Sequence, residues 1–383
     1  MKIAIATFAD LPNPPVKGGA VETLIDDLCK ENEKEEKILI DIYSIYNTEA
    51  KEIANSYKFT SFNYYEKKKL KKISIKNIIY KLTKKSILDT NMRNLVENIN
   101  HQKYDFVIVT SIIRELKYIL KKIKSPTIWY LHGDPVSVLK KDEIEKILKE
   151  CDGVITVSNF IKKRIEKFQN NCQILTVPNC TDLLLITKDK EKEVYDNFRN
   201  RFGIKKDEIL VTYVGRINSI KGILELVEAF VEIDINNMKL LVVGSPKTEE
   251  EKEYYKKIKE KSNERIIFSE YIEHNKLNEL YYSTDVVAVP SICMEAAPLV
   301  IIEAMYLNKK IISTNIGGIP EYAYGKNVIL VEVDDNLRDN LKKALIDCLV
   351  LEDISKKTIE EKYSTRAYYN NFYKALLKLK AGE

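Results

Sequence analysis

Two carboxylates eight residues apart are the side chains of this chain best suited to chemistry. Glu303 lies within residues 298–306, a run that is otherwise apolar, and Glu295 lies just before the small pair Ala296 and Ala297. A carboxylate is rarely buried alone, because its removal from water costs several kcal/mol. We therefore expect Glu303 to have a defined partner, which is either a structural neighbour or the hydroxyl groups of a ligand.

The run after Glu295 has the pattern of a helix N-terminus. Pro298 fits the first helical position, where its missing amide hydrogen is no loss. The first amides of such a helix face a phosphate well, and here they belong to Ala297, Leu299 and Val300. Because helical side chains lean toward the N-terminus, Glu303 would reach ribose hydroxyls while Glu295 meets sugar hydroxyls.

Two cations follow a strand-like run in the segment V-G-R-I-N-S-I-K-G, which extends from Val214 to Gly222. Arg216 offers a planar fork of donors and Lys221 a point charge, and together with a following helix N-terminus they suit a diphosphate. The alternative is a pair of solvated surface cations. Gly215 and Gly222 flank the two cations, and this makes the surface alternative less favoured.

A glycine pair, Gly18 and Gly19, lies between the first predicted strand and a helix through Leu24 and Leu28. Adjacent glycines before a helix let a phosphate approach the backbone closely, although a plain turn explains them equally well. The spacing is not G-x-G-x-x-G, which disfavours a dinucleotide-dependent dehydrogenase. No G-x-x-x-x-G-K-[ST] segment occurs, which disfavours a P-loop.

His132 lies in the segment Y-L-H-G-D, where a predicted strand ends. Strand ends carry the ligands in parallel sheets, so His132 is a candidate for the reaction centre. A histidine packed in the core explains the position about as well, and both interpretations stay open.

Short β-branched runs alternate with amphipathic helical patterns, which predicts parallel sheets with helices on both faces. The strand-like runs are 2–7, 38–43, 106–110, 127–131, 153–157, 173–177, 209–214, 239–243, 265–268, 286–289, 310–313 and 328–331. The alternation occurs twice, so we predict an α/β protein of two doubly wound, Rossmann-like domains. They comprise residues 1–182 and 183–363, and helix 364–383 packs back on the first. We expect the site in the cleft between them.

Composition excludes several classes of protein. The 383 residues are 45% hydrophobic and 31% charged, as in a soluble globular protein, and no apolar run approaches the ~18 residues of a membrane-spanning helix. Six scattered cysteines without a C-x-x-C pair and three histidines disfavour a disulfide framework and a zinc site. The first ten residues have the pattern of a strand and not of a secretory signal, which predicts a cytoplasmic protein.

The motifs together resemble the retaining GT-B glycosyltransferases of glycosyltransferase family four, over nearly the whole chain. The most specific part is the E-x7-E motif from Glu295 to Glu303, followed by V-G-R…K-G, then G-G-I-P-E at residues 317–321 and V-S at residues 157–158. The resemblance implies a GT-B fold and transfer of a hexosyl or deoxyhexosyl group from a nucleotide sugar to a glycan or lipid-linked glycan, with retention of configuration. Surface polysaccharide synthesis is the implied setting.

The resemblance also implies roles for single residues. Glu303 would hold the ribose and Glu295 the donor sugar, while Arg216 and Lys221 would neutralise the diphosphate leaving group. His132 would stabilise positive charge at the anomeric carbon. The amides after Ala296 and the early glycine pair would cradle donor and phosphates; these residues are Gly18, Gly19, Ala297, Leu299 and Val300.

The chain departs from the family pattern in three ways. Ala296 and Ala297 stand where an aromatic residue usually follows the first glutamate, and the frequent N-G-V-D hinge is replaced by N-C-T-D at residues 179–182. No D-x-D motif occurs, so the sequence implies neither a metal nor another cofactor. The alternatives are an epimerase or a phosphorylase on the same architecture, or an inactive coat or scaffold protein. The nucleotide, sugar, acceptor, linkage and oligomeric state stay open.

A lysine-rich segment points to an anionic partner. Residues 1–180 are basic, because they hold 31 of the 62 basic residues and 23 of the 57 acidic residues. Nine of the lysines lie between Lys67 and Lys85, in residues 67–85. A helix that is basic on one face and apolar on the other suits an anionic membrane surface. A solvated lysine face on a core-packed helix is equally compatible. Nucleic acid is disfavoured, because Tyr80 is the only aromatic residue there.

Overall fold

The computed structural model describes residues 1–8, 11–66, 90–168, 171–183, 186–273, 276–352 and 361–382. The chain divides into two compact units, of which the first combines Met1–Pro178 with Thr365–Glu383 and the second is Asn179–Ser364. The change of unit therefore follows Pro178, whereas the sequence placed it after residue 182.

The first unit is built on a parallel sheet of seven strands in the order β3-β2-β1-β4-β5-β6-β7. Strands β1 to β7 span Lys2–Ala6, Leu39–Ile45, Thr60–Tyr65, Phe106–Val109, Thr127–Leu131, Gly153–Thr156 and Gln173–Thr176. Helices α1 to α6 span Ala20–Glu35, Thr48–Ala54, Thr90–Asn100, Leu116–Leu120, Lys141–Leu148 and Asn159–Ile165. The strand order reverses between β1 and β4, which is where doubly wound sheets bind ligands.

The second unit repeats this design with six parallel strands in the order β10-β9-β8-β11-β12-β13. Strands β8 to β13 span Ile209–Val214, Met238–Val243, Ile266–Ser269, Val286–Val289, Lys310–Thr314 and Val328–Val331. Helices α7 to α13 span Lys188–Arg201, Ile223–Val231, Glu249–Glu260, Leu277–Ser283, Leu299–Tyr306, Ile319–Tyr322 and Leu337–Asp347. The order reverses between β8 and β11.

Successive residues of the central strands of the second unit enter different cores, because side chains alternate across a sheet. Leu210 packs on one face with Leu280 and Ile301, whereas Val211 packs on the other with Leu226. Both faces are therefore covered by helices, which explains the continuous apolar runs of these strands. The predicted α/β class is confirmed.

The last helix, α14 (Thr365–Ala381), packs on α1 in the first unit. The Tyr369 hydroxyl donates to Asn32 Oδ1 at 2.8 Å, and the Thr365 hydroxyl donates to Glu31 Oε2 at 3.2 Å. The end of the chain is thus part of the first unit's structure. Within the described residues, no helix has both the length and the apolar character needed to cross a bilayer.

Candidate active site

Two turns meet at the carboxyl edge of the second sheet, one after β8 and the other after β11. Gly222 has a φ of 66°, and a Cβ atom on it would lie 1.9 Å from the Pro290 carbonyl oxygen. The Ile292 amide donates to the Ile220 carbonyl at 3.0 Å. Because only glycine permits this approach, the two turns are in direct backbone contact, and this contact brings Lys221 beside the second turn.

An ion pair joins the two turns at this point. Lys221 Nζ pairs with Glu295 Oε1, and the Ser291 hydroxyl donates to the same oxygen at 2.8 Å. The lysine side chain is 22% exposed and the glutamate side chain 16% exposed. On the backbone, the Gly318 amide donates to the Glu295 carbonyl at 2.7 Å. Glu295 is therefore fixed through both its main chain and its carboxylate, and it remains accessible from solvent.

Arg216 completes the group of charges at the edge of the sheet. Its side chain is exposed, and its carbonyl accepts a 2.7 Å hydrogen bond from the Tyr213 hydroxyl. Burial and the Glu295 carboxylate raise the pKa of the Cys293 thiol, whereas the charges of Lys221 and Arg216 act to lower it. The charges of Arg216, Lys221 and Glu295 therefore all act on this one thiol, which places the three side chains in the same region.

Helix α11 begins at Leu299, and Pro298 is its N-cap, with φ −69° and ψ 121°. The prediction that Pro298 occupies the first helical position is therefore wrong by one residue, because its ψ is extended and not helical. The Ala297 carbonyl accepts a 3.2 Å hydrogen bond from Asn179 Nδ2. In the described part of the chain, no acceptor pairs with the amides of Leu299 and Val300. These two amides can receive an anion.

The helix that follows Lys221 differs from the sequence-based expectation. The hydroxyl of Tyr254 accepts a 3.1 Å hydrogen bond from the Leu224 amide in the first turn of α8. This amide already has a partner and is not available to a phosphate, and phosphate binding at the N-terminus of α8 stays a prediction. The cations Arg216 and Lys221 remain available without it.

Glu303 lies on α11 and is 5% exposed. The hydroxyl of Tyr281, a fully buried residue of α10, donates to Glu303 Oε2. Burial and then the negative charge of Glu303 raise the pKa of Tyr281 well above its usual range, so this hydroxyl keeps its proton. Tyr281 is therefore a structural neighbour that contacts Glu303, and contact of Glu303 with ligand hydroxyls stays a prediction.

In the first unit, His132 follows β5, and its ring centroid lies 4.1 Å from that of Tyr130. Both ring nitrogens are buried and have no hydrogen-bond partner in the described residues, although part of the residue is exposed. Burial lowers the pKa of His132 to about 3. The imidazole is therefore neutral at pH 7, and its nitrogens retain unused capacity for hydrogen bonds.

Gly18 and Gly19 precede α1, and Gly19 is its N-cap. A Cβ atom on Gly19 would lie 2.2 Å from Glu22 Oε2, so the Glu22 carboxylate lies against this glycine. Glu22 is buried, and burial raises its pKa. A carboxyl group therefore lies beside Gly19 of the predicted phosphate cradle, and its negative charge would oppose phosphate binding there.

Sequence reasoning missed three residues that support the site, namely Tyr281, Ser291 and Asn179. Ser291 is four residues before Glu295 in the P-S-x-x-x-E segment, and this spacing could have indicated its contact. Tyr281 is separated from Glu303 by 22 residues and Asn179 from Ala297 by 118. Only the packed fold brings these pairs together.

Comparison with known proteins finds a family similar to the second unit. Residues 194–365 match the model of the family described as Glycosyl transferases group 1. The match covers less than half of the 383 residues. It includes the four charged residues described above: Arg216, Lys221, Glu295 and Glu303.

The chain is also similar to curated proteins that are named as glycosyltransferases. The chain is 29% identical over 208 residues to the lipopolysaccharide 1,2-N-acetylglucosaminetransferase of Salmonella typhimurium, covering 51% of this chain and 53% of the relative. It is 27% identical over 267 residues to an uncharacterized glycosyltransferase of Methanocaldococcus jannaschii, covering 61% of this chain and 62% of the relative. The chain thus spans less than two thirds of the length of these two relatives.

A solved structure extends the comparison to the whole fold. Anabaena HepE in complex with UDP and glucose superposes with a TM-score of 0.75 and 16% identity, covering 99% of this chain and 100% of that one. The sequence identity is low, so this similarity concerns the architecture. The chain therefore has the GT-B fold.

Proposed function

We propose that this chain is a glycosyltransferase that moves a sugar from a nucleoside diphosphate to a glycan or lipid-linked glycan acceptor, in surface polysaccharide or cell-envelope glycan synthesis. The observation that carries this proposal is the convergence of Arg216, Lys221 and Glu295 beside the open amides of α11. The group 1 match and the names of the relatives support the same reaction class.

The donor would lie along the carboxyl edge of the second sheet. Its diphosphate would meet Arg216, Lys221 and the amides of Leu299 and Val300, because cations and helix N-termini both favour phosphate. Glu303 would accept a ribose hydroxyl, and Glu295 would accept hydroxyls of the sugar. That HepE binds UDP and glucose supports a nucleotide-sugar donor for this architecture.

The chemical step would occur with retention of configuration. The acceptor oxygen forms a bond to the anomeric carbon on the face that the diphosphate leaves, while the bond from that carbon to the diphosphate oxygen breaks. The acceptor's proton passes to the departing phosphate. Positive charge grows on the sugar and negative charge on the phosphate, so Arg216 and Lys221 would stabilise the phosphate end of the transition state.

The pairing of Lys221 with Glu295 sets a condition on this step. The Glu295 carboxylate pairs with Lys221, so the lysine would share its protons with the phosphates or exchange partners when a donor binds. Sugar hydroxyls that donate to Glu295 would replace the contact that this carboxylate loses when Lys221 turns to the phosphates. A complete nucleotide sugar would therefore fit the site better than a nucleoside diphosphate alone.

We further propose that the reaction requires no metal ion. Arg216 and Lys221 supply the positive charge that a divalent cation gives to other phosphate-transfer sites. The proposed membrane contact, residues 67–85, lies outside the described residues and would place the enzyme at the inner face of a membrane.

A thermal-unfolding screen against nucleotide sugars tests the proposal. A ligand at 100 times its Kd adds roughly 2.7 kcal/mol to the free energy of unfolding, so a true donor raises the unfolding temperature clearly. We expect at least one nucleotide sugar to do so in the wild type, and to do so much less in Glu303→Gln. The proposal fails if the folded protein responds to none, and donor turnover without acceptor would favour an epimerase or hydrolase.

A further inference from the structure

The hydrogen bonds to the Glu295 carboxylate converge on one of its two oxygens. Ser291 is 2% exposed, and its hydroxyl donates to Glu295 Oε1 at 2.8 Å. Lys221 Nζ pairs with the same oxygen. Among the residues that the structure describes, no donor reaches Oε2. Oε2 therefore has unused capacity for hydrogen bonds from a ligand.

Both ends of the contact between Ser291 and Glu295 are fixed through the backbone. The Ser291 carbonyl accepts a 2.6 Å hydrogen bond from the hydroxyl of Thr314, a buried residue at the end of β12. The Glu295 carbonyl accepts from the Gly318 amide at 2.7 Å, and a Cβ atom on Gly317 would lie 2.5 Å from that carbonyl oxygen. The serine hydroxyl therefore joins the carboxylate to a rigid part of the turn.

We propose that Ser291 is a positioning residue for recognition of the donor's sugar. When a diphosphate draws Lys221 away from Glu295, the buried hydroxyl of Ser291 still holds Oε1, and Oε2 receives the sugar hydroxyls. This inference rests on the proposed function, because it takes Glu295 as the sugar ligand and Lys221 as a phosphate ligand. Ser291 itself touches no substrate and acts only through the carboxylate.

The physical basis is preorganisation. Lys221 carries its charge on a flexible four-carbon stem and can exchange a carboxylate for a phosphate, whereas the short side chain of Ser291 stays in the core. A glutamate side chain has three rotatable bonds, and ordering them when a ligand arrives lowers the affinity. Without the serine hydroxyl, the Glu295 carboxylate is free to turn once Lys221 leaves it. The sugar contact then weakens, while the diphosphate contacts remain.

The test measures how much the sugar contributes to donor binding. Titration calorimetry gives the Kd values of UDP-glucose, UDP-N-acetylglucosamine and GDP-mannose for the full chain, together with those of UDP and GDP. The ratio of the diphosphate's Kd to the nucleotide sugar's Kd reports the sugar contact. In Ser291→Ala this ratio should fall about threefold to tenfold, because ordering one mobile side chain costs about that much affinity. The Kd of the diphosphate should change by less than about twofold, since its ligands are untouched.

Ser313→Ala is the matched control, because it also removes a fully buried serine hydroxyl next to β11. The Ser313 hydroxyl donates to the Val289 carbonyl at 2.7 Å. This variant should keep the wild-type ratio even if it lowers the stability. Glu295→Gln should lower the ratio at least as far as Ser291→Ala does. The double variant should lower it no further than Glu295→Gln alone, since both substitutions act on one contact.

The outcomes separate this inference from the proposed function. If Ser291→Ala keeps the ratio while Glu295→Gln lowers it, the positioning role is wrong and the sugar assignment of Glu295 stands. An equal fall in Ser291→Ala and Ser313→Ala would also refute the role, because it would reflect general loosening of the turn. If Glu295→Gln keeps the ratio, or if no nucleotide sugar binds the wild type, the sugar assignment fails and this inference fails with it. Urea denaturation of each variant confirms that the affinities refer to folded protein.

Discussion

Lys221 and Glu295 form an ion pair between the turn after β8 and the turn after β11. Both side chains are partly exposed, so the pair itself adds little stability. The ion pair matters because of its position in the fold. The two strands flank the reversal of the sheet order, and a cation and a carboxylate meet where doubly wound sheets bind their ligands.

The first prediction concerns the two cations. Arg216→Ala and Lys221→Ala should each lower kcat more than donor affinity, because charge grows on the diphosphate in the transition state. Removing one charged hydrogen bond should cost roughly 10²-fold in kcat. Steady-state kinetics with saturating donor measures this, and Lys239→Ala, on strand β9, is the control. Changes confined to KM would show that the cations only anchor the ground state.

The second prediction concerns pH and His132. The folded pKa of about 3 lies below the ordinary value of about 6.5, so between these values the unfolded chain binds more protons. This contribution to stability is complete above pH 6.5 and declines as the pH falls toward 3. Relative to His132→Phe, the wild type should lose about 2 kcal/mol between pH 7 and pH 5.

Urea denaturation at both pH values measures this difference. The same substitution at the exposed His101 is the control and should leave the pH dependence of the wild type unchanged. Equal pH dependence of the wild type and His132→Phe would mean that the imidazole gains protons as readily in the folded protein as in the unfolded chain.

The third prediction is that activity survives EDTA. Two fixed cations stand at the expected diphosphate, so removal of divalent ions should change the rate by less than about twofold. The assay is sugar transfer in excess EDTA, with and without added magnesium or manganese. Complete loss of activity that either ion restores would contradict the proposed role of Arg216 and Lys221.

The fourth prediction concerns residues 67–85, which lie outside the described residues. We expect the protein to co-sediment with phosphatidylglycerol-rich vesicles at low salt and to be released at high salt. Serine at Lys67, Lys68, Lys69, Lys71 and Lys72 should abolish this binding.

The control for vesicle binding is serine at five exposed lysines in and next to α9, namely Lys252, Lys256, Lys257, Lys259 and Lys261. It removes the same charge from the second unit and should leave binding intact. Unchanged sedimentation of the first variant, or no binding by the wild type, would show that the segment is an ordinary solvated surface.

The fold was predictable wherever apolar runs are continuous. Ile209–Val214 and Val286–Val289 match their predicted bounds, because strands buried on both faces are β-branched and apolar throughout. Thr60–Tyr65 was missed. It is the edge strand β3 and reads T-S-F-N-Y-Y, which mixes polar and aromatic residues and has no aliphatic residue.

The site was predictable only in part. Strand-end positions indicated that Arg216, Lys221 and Glu295 share one edge of the sheet, because that follows from parallel topology alone. The sequence could not indicate that Tyr281 holds Glu303 or that Tyr254 caps α8. These contacts depend on how neighbouring helices pack, and a tyrosine hydroxyl has no sequence spacing that indicates its acceptor.

Proton NMR of one reaction tests both glycosyl transfer and retention of configuration. The full chain is incubated with the nucleotide sugar that stabilises it most and with a panel of oligosaccharide and lipid-linked acceptors. We predict release of nucleoside diphosphate in step with a new glycosidic anomeric signal of the donor's configuration, and neither in Glu303→Gln. An inverted anomeric signal, or diphosphate release without any new glycosidic bond, would contradict the account.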